Sequence, residues 1–448
     1  MKFGDKLQGA IERFDDKGRG AFTKQITPKE TREVVIPFTA PGDTVEATFM
    51  RRGHRGQWVG KLDKVTEQSP MRVPAPCPFA GTCGGCLWQH VDYDAQRKTK
   101  RDMINAAFAA AGHDERIEDV MASKKELYYR NRMDYVWSFK GDLGLKEYGS
   151  WNRYVNLTTC FLLDEQTPKT LEVARALVKD LGLEPWDAKK YKGDVRYLVI
   201  RVGKNTNERM ITLVVKDAAK FTDTMRAELV RRFSPLCTTL YLGENPTLTD
   251  LSYAKTLTLL HGNPYLTEEV NGLRYLIHPN SFFQTNSDMA AMLQTTVMSF
   301  LGDLKDARLL DLYCGLGFFG IAAARHGATA YGHELDAEAI TLAKKNAELN
   351  GLAERATFGA GPVEKFDWAS FDPTAVILDP PRVGLHPRVI KTILEKRPKT
   401  IIYVSCNFRS FAKELTQFKE AYRVEDIKAL DLFPQTPHVE LVTKLVLK

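Results

Sequence analysis

From about residue 305 to the C-terminus the chain alternates strand-like apolar runs with helical stretches, and this rhythm constrains the fold more than any other feature. Neighbouring parallel strands need a crossover connection between them, usually a helix, so regular β–α alternation predicts a doubly wound sheet covered by helices on both faces. Such sheets bind ligands at the C-terminal ends of their strands. Three of those ends carry informative residues. The run RLLDLYCGLGFFGI (Arg308 to Ile321) reads as a buried strand, a glycine turn and a helix start, in which Gly315 and Gly317 let backbone N–H groups approach a ligand. The turn lacks a full G-x-G-x-x-G and occurs in many nucleotide folds, so it does not fix the ligand alone. Seventeen residues after Gly317 the run AYGHE ends a second strand on Glu334, an acid suited to two ribose hydroxyls. The run AVILDPPR ends a third on Asp379, where two prolines fix the backbone. A helix cap or a turn is the plain structural alternative for either acid, but their place at strand C-termini favours ligand contact. No lysine placed to clamp phosphates accompanies the turn, so the pattern favours S-adenosylmethionine over a P-loop nucleotide.

A fourth strand-like run, TIIYV, ends in Ser405-Cys406-Asn407, and further on FPQTPHVE supplies Glu440. A cysteine at a strand end of a cofactor-binding sheet suggests a nucleophile, and a carboxylate in a Pro- and aromatic-rich loop suggests its partner base.

Cys77, Cys83 and Cys86 lie in one turn-rich segment, CPFAGTCGGC, with five residues and then two between them. Thiolates at this spacing suit zinc or an iron–sulfur cluster, and a fourth ligand must come from elsewhere. Cys160 is the candidate, and His90 competes for the place. Cys237 and Cys314 read as structural thiols. An odd count of seven cysteines in 448 residues does not resemble the dense disulfide framework of a small secreted domain. No apolar run of membrane-spanning length and no signal-peptide pattern is present, so a cytoplasmic protein that does not enter membranes is expected.

Net charge is +7, and residues 1–66 hold 13 Lys and Arg against 9 Asp and Glu. A polyanionic partner is compatible with that excess. Residues 1–66 alternate short strands with turns, which predicts a small β-barrel. Its hairpin at 50–57 carries Arg51, Arg52 and Arg55 beside Trp58, a combination suited to phosphate contact and base stacking, although a solvated turn would look the same. The Pro-rich seam at 69–76 marks a domain boundary, and a helical pattern over 95–111 begins with the basic residues Arg97, Lys98, Lys100 and Arg101. Between about 127 and 260, strands and helices mix as in an α/β domain.

Taken together, these motifs resemble the RNA uracil-C5 methyltransferases, and the resemblance covers almost the whole chain. It implies a multidomain α/β protein: an OB-like barrel of the TRAM type over 1–66, a central α/β domain with a [4Fe–4S] cluster over 67–265, and a Rossmann-like methyltransferase domain over 266–448. It implies cluster ligation by Cys77, Cys83, Cys86 and Cys160. Cofactor contacts fall on Gln284 in NSFFQTN, on Tyr313, on Glu334 and on Asp379, with the glycines of the turn beside them. The implied nucleophile is Cys406 and the implied base is Glu440; a thiolate adding to C6 is what turns C5 of uracil into a nucleophile. Phe282 and Phe283 are candidates for stacking on RNA, with core packing as the alternative. Two positions depart from the family pattern: Phe318 stands where a small polar residue is expected, and Pro362 where Asn or Asp is common. The expected substrate is a uridine of 23S rRNA, with the T-loop of tRNA as the alternative, and the expected state is a monomer. A non-catalytic RNA-binding scaffold is disfavoured by the intact Cys406 and Glu440. A radical S-adenosylmethionine enzyme is disfavoured by a first cysteine gap of five where that class has three.

Overall fold

The computed structural model describes residues 1–368 and 371–448. Residues 6–67 form a six-stranded sheet in the spatial order Lys6–Ala10, Thr44–Arg52, Trp58–Glu67, Glu30–Ile36, Gly20–Thr27, Arg13–Phe14. Its two edge strands are consecutive pieces of one bent segment, so the sheet curls round on itself over Leu7, Ile11, Phe22, Val34, Ile36, Val45 and Phe49. Trp58 belongs to this core, 8% exposed and edge-on to Phe49 at 6.0 Å. The expectation that it stacks on a base is therefore corrected: an indole beside arginines reads alike whether it faces in or out, and here it faces in. Arg51, Arg52 and Arg55 are exposed around the hairpin tip. Behind this sheet the Pro-rich seam is anchored, because buried Asp43 accepts hydrogen bonds from Ser69 N at 2.9 Å and from Arg72 Nε at 2.7 Å.

The middle of the chain builds a seven-stranded sheet around Arg132–Trp137, Val195–Val202, Arg209–Val215 and Thr239–Glu244, mostly antiparallel, with one face covered by the helices Thr167–Asp180 and Asp223–Phe233.

The C-terminal sheet has eight strands in the order Ala356–Ala360, Thr329–Glu334, Arg308–Leu312, Ala375–Leu378, Thr400–Ser405, Glu440–Leu447, Tyr422–Leu430, Val120–Met121. The first five run parallel, as β–α alternation requires. The strand order reverses between Arg308–Leu312 and Ala375–Leu378, which opens a crevice at their C-terminal ends. One part of the architecture differs from the sequence reading. The helix Tyr93–Ala110 and the strand Val120–Met121, expected in the central unit, belong to this sheet. The helix buries Gln96, Lys100, Ile104 and Phe108, a stripe of every fourth residue, and Phe108 meets Phe411 of the helix Phe408–Phe418 at 6.2 Å. A basic residue inside that stripe reads as surface until its partner is known.

Candidate active site

The register of the last two sheet crossings sets the centre of the site. Thr400–Ser405 pairs antiparallel with Glu440–Leu447, and the final pair is Ser405 with Leu441. The next residue, Cys406, leaves the strand just beyond this pair, and Glu440, the residue that opens the facing strand, lies close enough for its charge to act on the Cys406 thiol. On the other side, Ala375–Leu378 runs parallel to the same strand and delivers Asp379 at the same sheet edge. Asn407 ties the loops together by donating from Nδ2 to Arg382 O at 2.9 Å and to Ser410 Oγ at 2.8 Å.

Electrostatics follow from crowding acids at buried strand ends. Burial, reinforced by Glu334, pushes Asp379 up to about 7. Burial likewise lifts Asp311 to about 8, with further repulsion from Asp379 and Glu334, although it accepts a hydrogen bond from Gly320 N at 2.8 Å. Glu440, 3% exposed, is raised well above the usual carboxylate range by burial and then by Asp379, while Arg382 opposes the shift. The Cys406 thiol is pushed up to about 11 by burial, then by Glu440 and Asp379, and Arg382 draws it down. An acidic, dehydrated cluster of this kind favours a cationic ligand, which would relieve the repulsion.

The glycine turn is built as its sequence suggests. Tyr313, Gly315 and Gly317 all have positive φ, at 65°, 51° and 82°. A Cβ on Gly317 would lie 2.8 Å from the Phe358 ring, so only glycine fits there. Gly315 N donates to Glu334 Oε2 at 3.4 Å, which joins the first two strand ends. Gln284 lies in the loop before the helix Ser287–Leu301, with its carbonyl held by Asn131 Nδ2 at 2.8 Å. Phe318 and Phe283 are buried together, with ring centroids 5.7 Å apart, and both pack on Tyr275. A small polar residue at 318 would waste that packing. The two candidate stacking rings thus separate: Phe283 is core, whereas Phe282 is 70% exposed.

Cys406 opens into a cavity of about 1000 Å³ lined by strands of the middle sheet and by loops of the N-terminal and C-terminal units. Phe282, Thr285, Asn407, Thr436 and His438 line it, together with Lys17, Arg130, Arg132, Lys146, Arg201, Arg382 and Arg409, against three acids, Asp16, Asp134 and Glu147. His438 is held down to about 4 by burial and then by Arg382, so it is a neutral ring at pH 7. The sequence reading missed these arginines because they are dispersed along the chain; only Arg382, directly after Asp379-Pro380-Pro381, carried a local signal.

Cys77, Cys83, Cys86 and Cys160 surround a separate small cavity, with Phe79, Leu145, Leu157 and Leu162 completing its wall. Burial raises all four thiols, Cys83 to about 11 and Cys86 to about 12. Among the described residues no three His, Cys, Asp or Glu side chains are placed to hold a metal ion. His90 does not line this cavity; it is buried, held down to about 4 by burial and Arg72, with its ring near the Thr39 backbone. Cys237 donates to Phe233 O at 3.2 Å and Cys314 packs under Gly332. No helix is long and apolar enough to cross a membrane among the described residues.

A family model described as tRNA (Uracil-5-)-methyltransferase matches residues 254–358 and 361–447. A tRNA (uracil(54)-C(5))-methyltransferase of Pyrococcus horikoshii is 35% identical over 440 residues, covering 98% of this chain and 100% of the relative. A 23S rRNA (uracil(747)-C(5))-methyltransferase of the same organism is 32% identical over 442 residues, covering 98% and 99%. Among solved structures, the Pyrococcus abyssi tRNA (uracil-54, C5)-methyltransferase in complex with S-adenosyl-L-homocysteine superposes with a TM-score of 0.78 at 32% identity, over 98% of this chain and 100% of that one. The fold is that of a multidomain α/β methyltransferase. The chain belongs to the RNA uracil-C5 methyltransferase family and is an S-adenosylmethionine-dependent enzyme of that activity.

Proposed function

We propose that the enzyme methylates a uridine of 23S rRNA through a covalent adduct on Cys406, with Glu440 as the base. The observation that carries this reading is Cys406 on the wall of a basic cavity, at a strand end whose register with the facing strand brings it within reach of the Glu440 charge. The excess of cationic over acidic side chains on this wall suits the phosphates around a uridine turned out of its stack. Cys406 adds as thiolate to C6, and the displaced π pair makes C5 nucleophilic. S-adenosylmethionine, held by Gln284, Tyr313, Gly315, Gly317, Glu334 and Asp379, would supply the methyl group on a cationic sulfur. Glu440 then takes the C5 proton, the C–H pair forms the C5–C6 double bond, and the C6–S pair leaves with Cys406. A carboxylate of raised proton affinity is a better base for that step once ionised.

Cys77, Cys83, Cys86 and Cys160 are the ligands we assign to a [4Fe–4S] cluster, which would supply a rigid four-point cross-link rather than electrons. Four thiols around one cavity, without carboxylate or imidazole, match the donor set of such a cluster. The curled N-terminal sheet with its exposed arginines fits a TRAM-type RNA-binding barrel. A cytoplasmic monomer is consistent with this assignment.

A second reading, the T-loop uridine of tRNA, is favoured by the higher identity to the tRNA relative, 35% against 32% for the rRNA relative. The test is incubation of anaerobically purified protein with methyl-labelled S-adenosylmethionine and unmodified total RNA, followed by nucleoside analysis of separated tRNA and 23S fractions. Labelled 5-methyluridine in 23S supports the proposal. Label confined to tRNA moves the assignment to the T-loop, and label in neither contradicts both.

A further inference from the structure

Residues Asp431 to Val439, between the strands Tyr422–Leu430 and Glu440–Leu447, lead directly into Glu440. This loop is fixed by side chains that the reaction itself does not use. Lys100 Nζ, fully buried, donates to Asp431 Oδ1 at 2.6 Å and to Phe433 O at 3.1 Å. One turn earlier on the same helix face, Gln96 exchanges two hydrogen bonds with Gln435: Gln96 Nε2 to Gln435 Oε1, and Gln435 N to Gln96 Oε1, both at 2.9 Å. Gln435 itself is buried with φ of 66°, a left-handed conformation that a non-glycine residue holds only where its surroundings fix it. Its carbonyl accepts from Leu87 N and Trp88 N, both at 3.0 Å, and these are the two residues that follow Cys86.

A buried lysine and a buried amide are costly to desolvate; Lys100 is matched by this loop, and Gln96 by the loop together with the carbonyls of Val91 and Trp88. They add nothing to the cavity wall, since neither Gln96 nor Lys100 lines it. What they determine is the path of the chain into Glu440. We propose that Gln96 and Lys100 are positioning residues that set the Glu440 carboxylate for proton removal from C5, and that the backbone after Cys86 is a third point of the same clamp. This rests on the covalent reading above. In that reading Cys406 lies on a different loop, so loosening the clamp slows the elimination step, in which Glu440 takes the C5 proton and Cys406 departs with the C6–S pair, more than it slows adduct formation.

The experiment compares wild type with Gln96→Met, close in volume but unable to pair with Gln435, on natural RNA and on RNA carrying 5-fluorouridine. With fluorine at C5 no proton can be removed, so trapping reports Cys406 addition and methyl transfer alone. For Gln96→Met the expected result is a kcat lowered by about 10- to 100-fold, within the range of misplacing a catalytic group. KM for S-adenosylmethionine stays unchanged, trapping on fluorinated RNA proceeds at near the wild-type rate, and a covalent complex builds up on natural RNA. Gln96→Asn, which retains an amide, recovers part of the kcat. Equal losses in trapping and turnover, or a variant indistinguishable from wild type, overturn the proposal. If Gln96→Met fails to fold, Lys100→Arg, which keeps the charge at altered length, is read by the same ratio of trapping to turnover. Failure of wild type to form any adduct overturns the covalent reading instead, which separates the two outcomes.

Discussion

Two regions of this protein use cysteine, and burial raises the thiol in both: to about 11 for Cys406, and to about 11 and 12 for Cys83 and Cys86. Proton affinity therefore does not distinguish them. Their surroundings do. The four cysteines face one another across a small apolar cavity, whereas Cys406 faces a wide basic one with Glu440 and Asp379 beside it. These surroundings fit the two proposed roles: thiols among leucine and phenylalanine for a cross-linking cluster, and a lone thiol next to a carboxylate and an open cavity for a substrate.

Exchanging a cysteine in each region is the sharpest way to break this comparison. Cys406→Ala is expected to lower turnover by at least about 10³-fold, while melting temperature and iron content stay at wild-type values. Cys86→Ser is expected to do the reverse in kind: iron and sulfide are lost, and the melting temperature falls by several degrees, because the proposed cluster would cross-link the chain next to the Leu87 and Trp88 amides that hold Gln435. Parallel metal analysis and thermal melts check both. Unchanged iron in Cys86→Ser would contradict the assignment of that cavity.

A smaller effect is expected at Arg382, the cation that draws the Cys406 thiol down. Below the thiol's own value the thiolate fraction grows tenfold per pH unit, so kcat/KM is expected to rise between pH 6 and 9. Arg382→Gln removes a favourable charge and is expected to lower kcat/KM by about tenfold and to move the rising limb to higher pH. A pH profile that falls over this range would count against Cys406 as nucleophile.

Much of this comparison was legible in the sequence because its elements are local. The glycine turn, Glu334, Asp379 and Cys406 each follow an apolar strand run, and strand ends of a doubly wound sheet converge. The three cysteines Cys77, Cys83 and Cys86 share one short loop. What was not legible depends on distant pairing. Lys100 meets Asp431 across 331 residues and Gln96 meets Gln435 across 339, so the first read as part of a basic surface run and the second as an ordinary helix position. Val120–Met121 is two residues long and carries no periodicity of its own. Trp58 was misread because packing inward or outward leaves the same sequence.

The smallest expected effect concerns the acids alone. Asp311 has its folded value raised to about 8 from the ordinary carboxylate range, so it favours the fold at low pH, and that contribution is lost as pH rises through about 8. Asp379, raised to about 7, acts in the same direction. The melting temperature of the ligand-free protein is thus expected to fall between pH 5 and 9. Asp311→Asn, whose amide oxygen can still accept from Gly320 N, should flatten that fall by a few degrees. An identical pH slope in variant and wild type would contradict the crowding of acids at these strand ends.

The most direct measurement is peptide mapping by mass spectrometry after incubating the enzyme with S-adenosylmethionine and 5-fluorouridine RNA. The expected result is a single modified peptide, with a methylated fluorouridine attached at Cys406 and none at Cys77, Cys83, Cys86 or Cys160. Methyl transfer to natural RNA without any adduct at Cys406 would contradict the account.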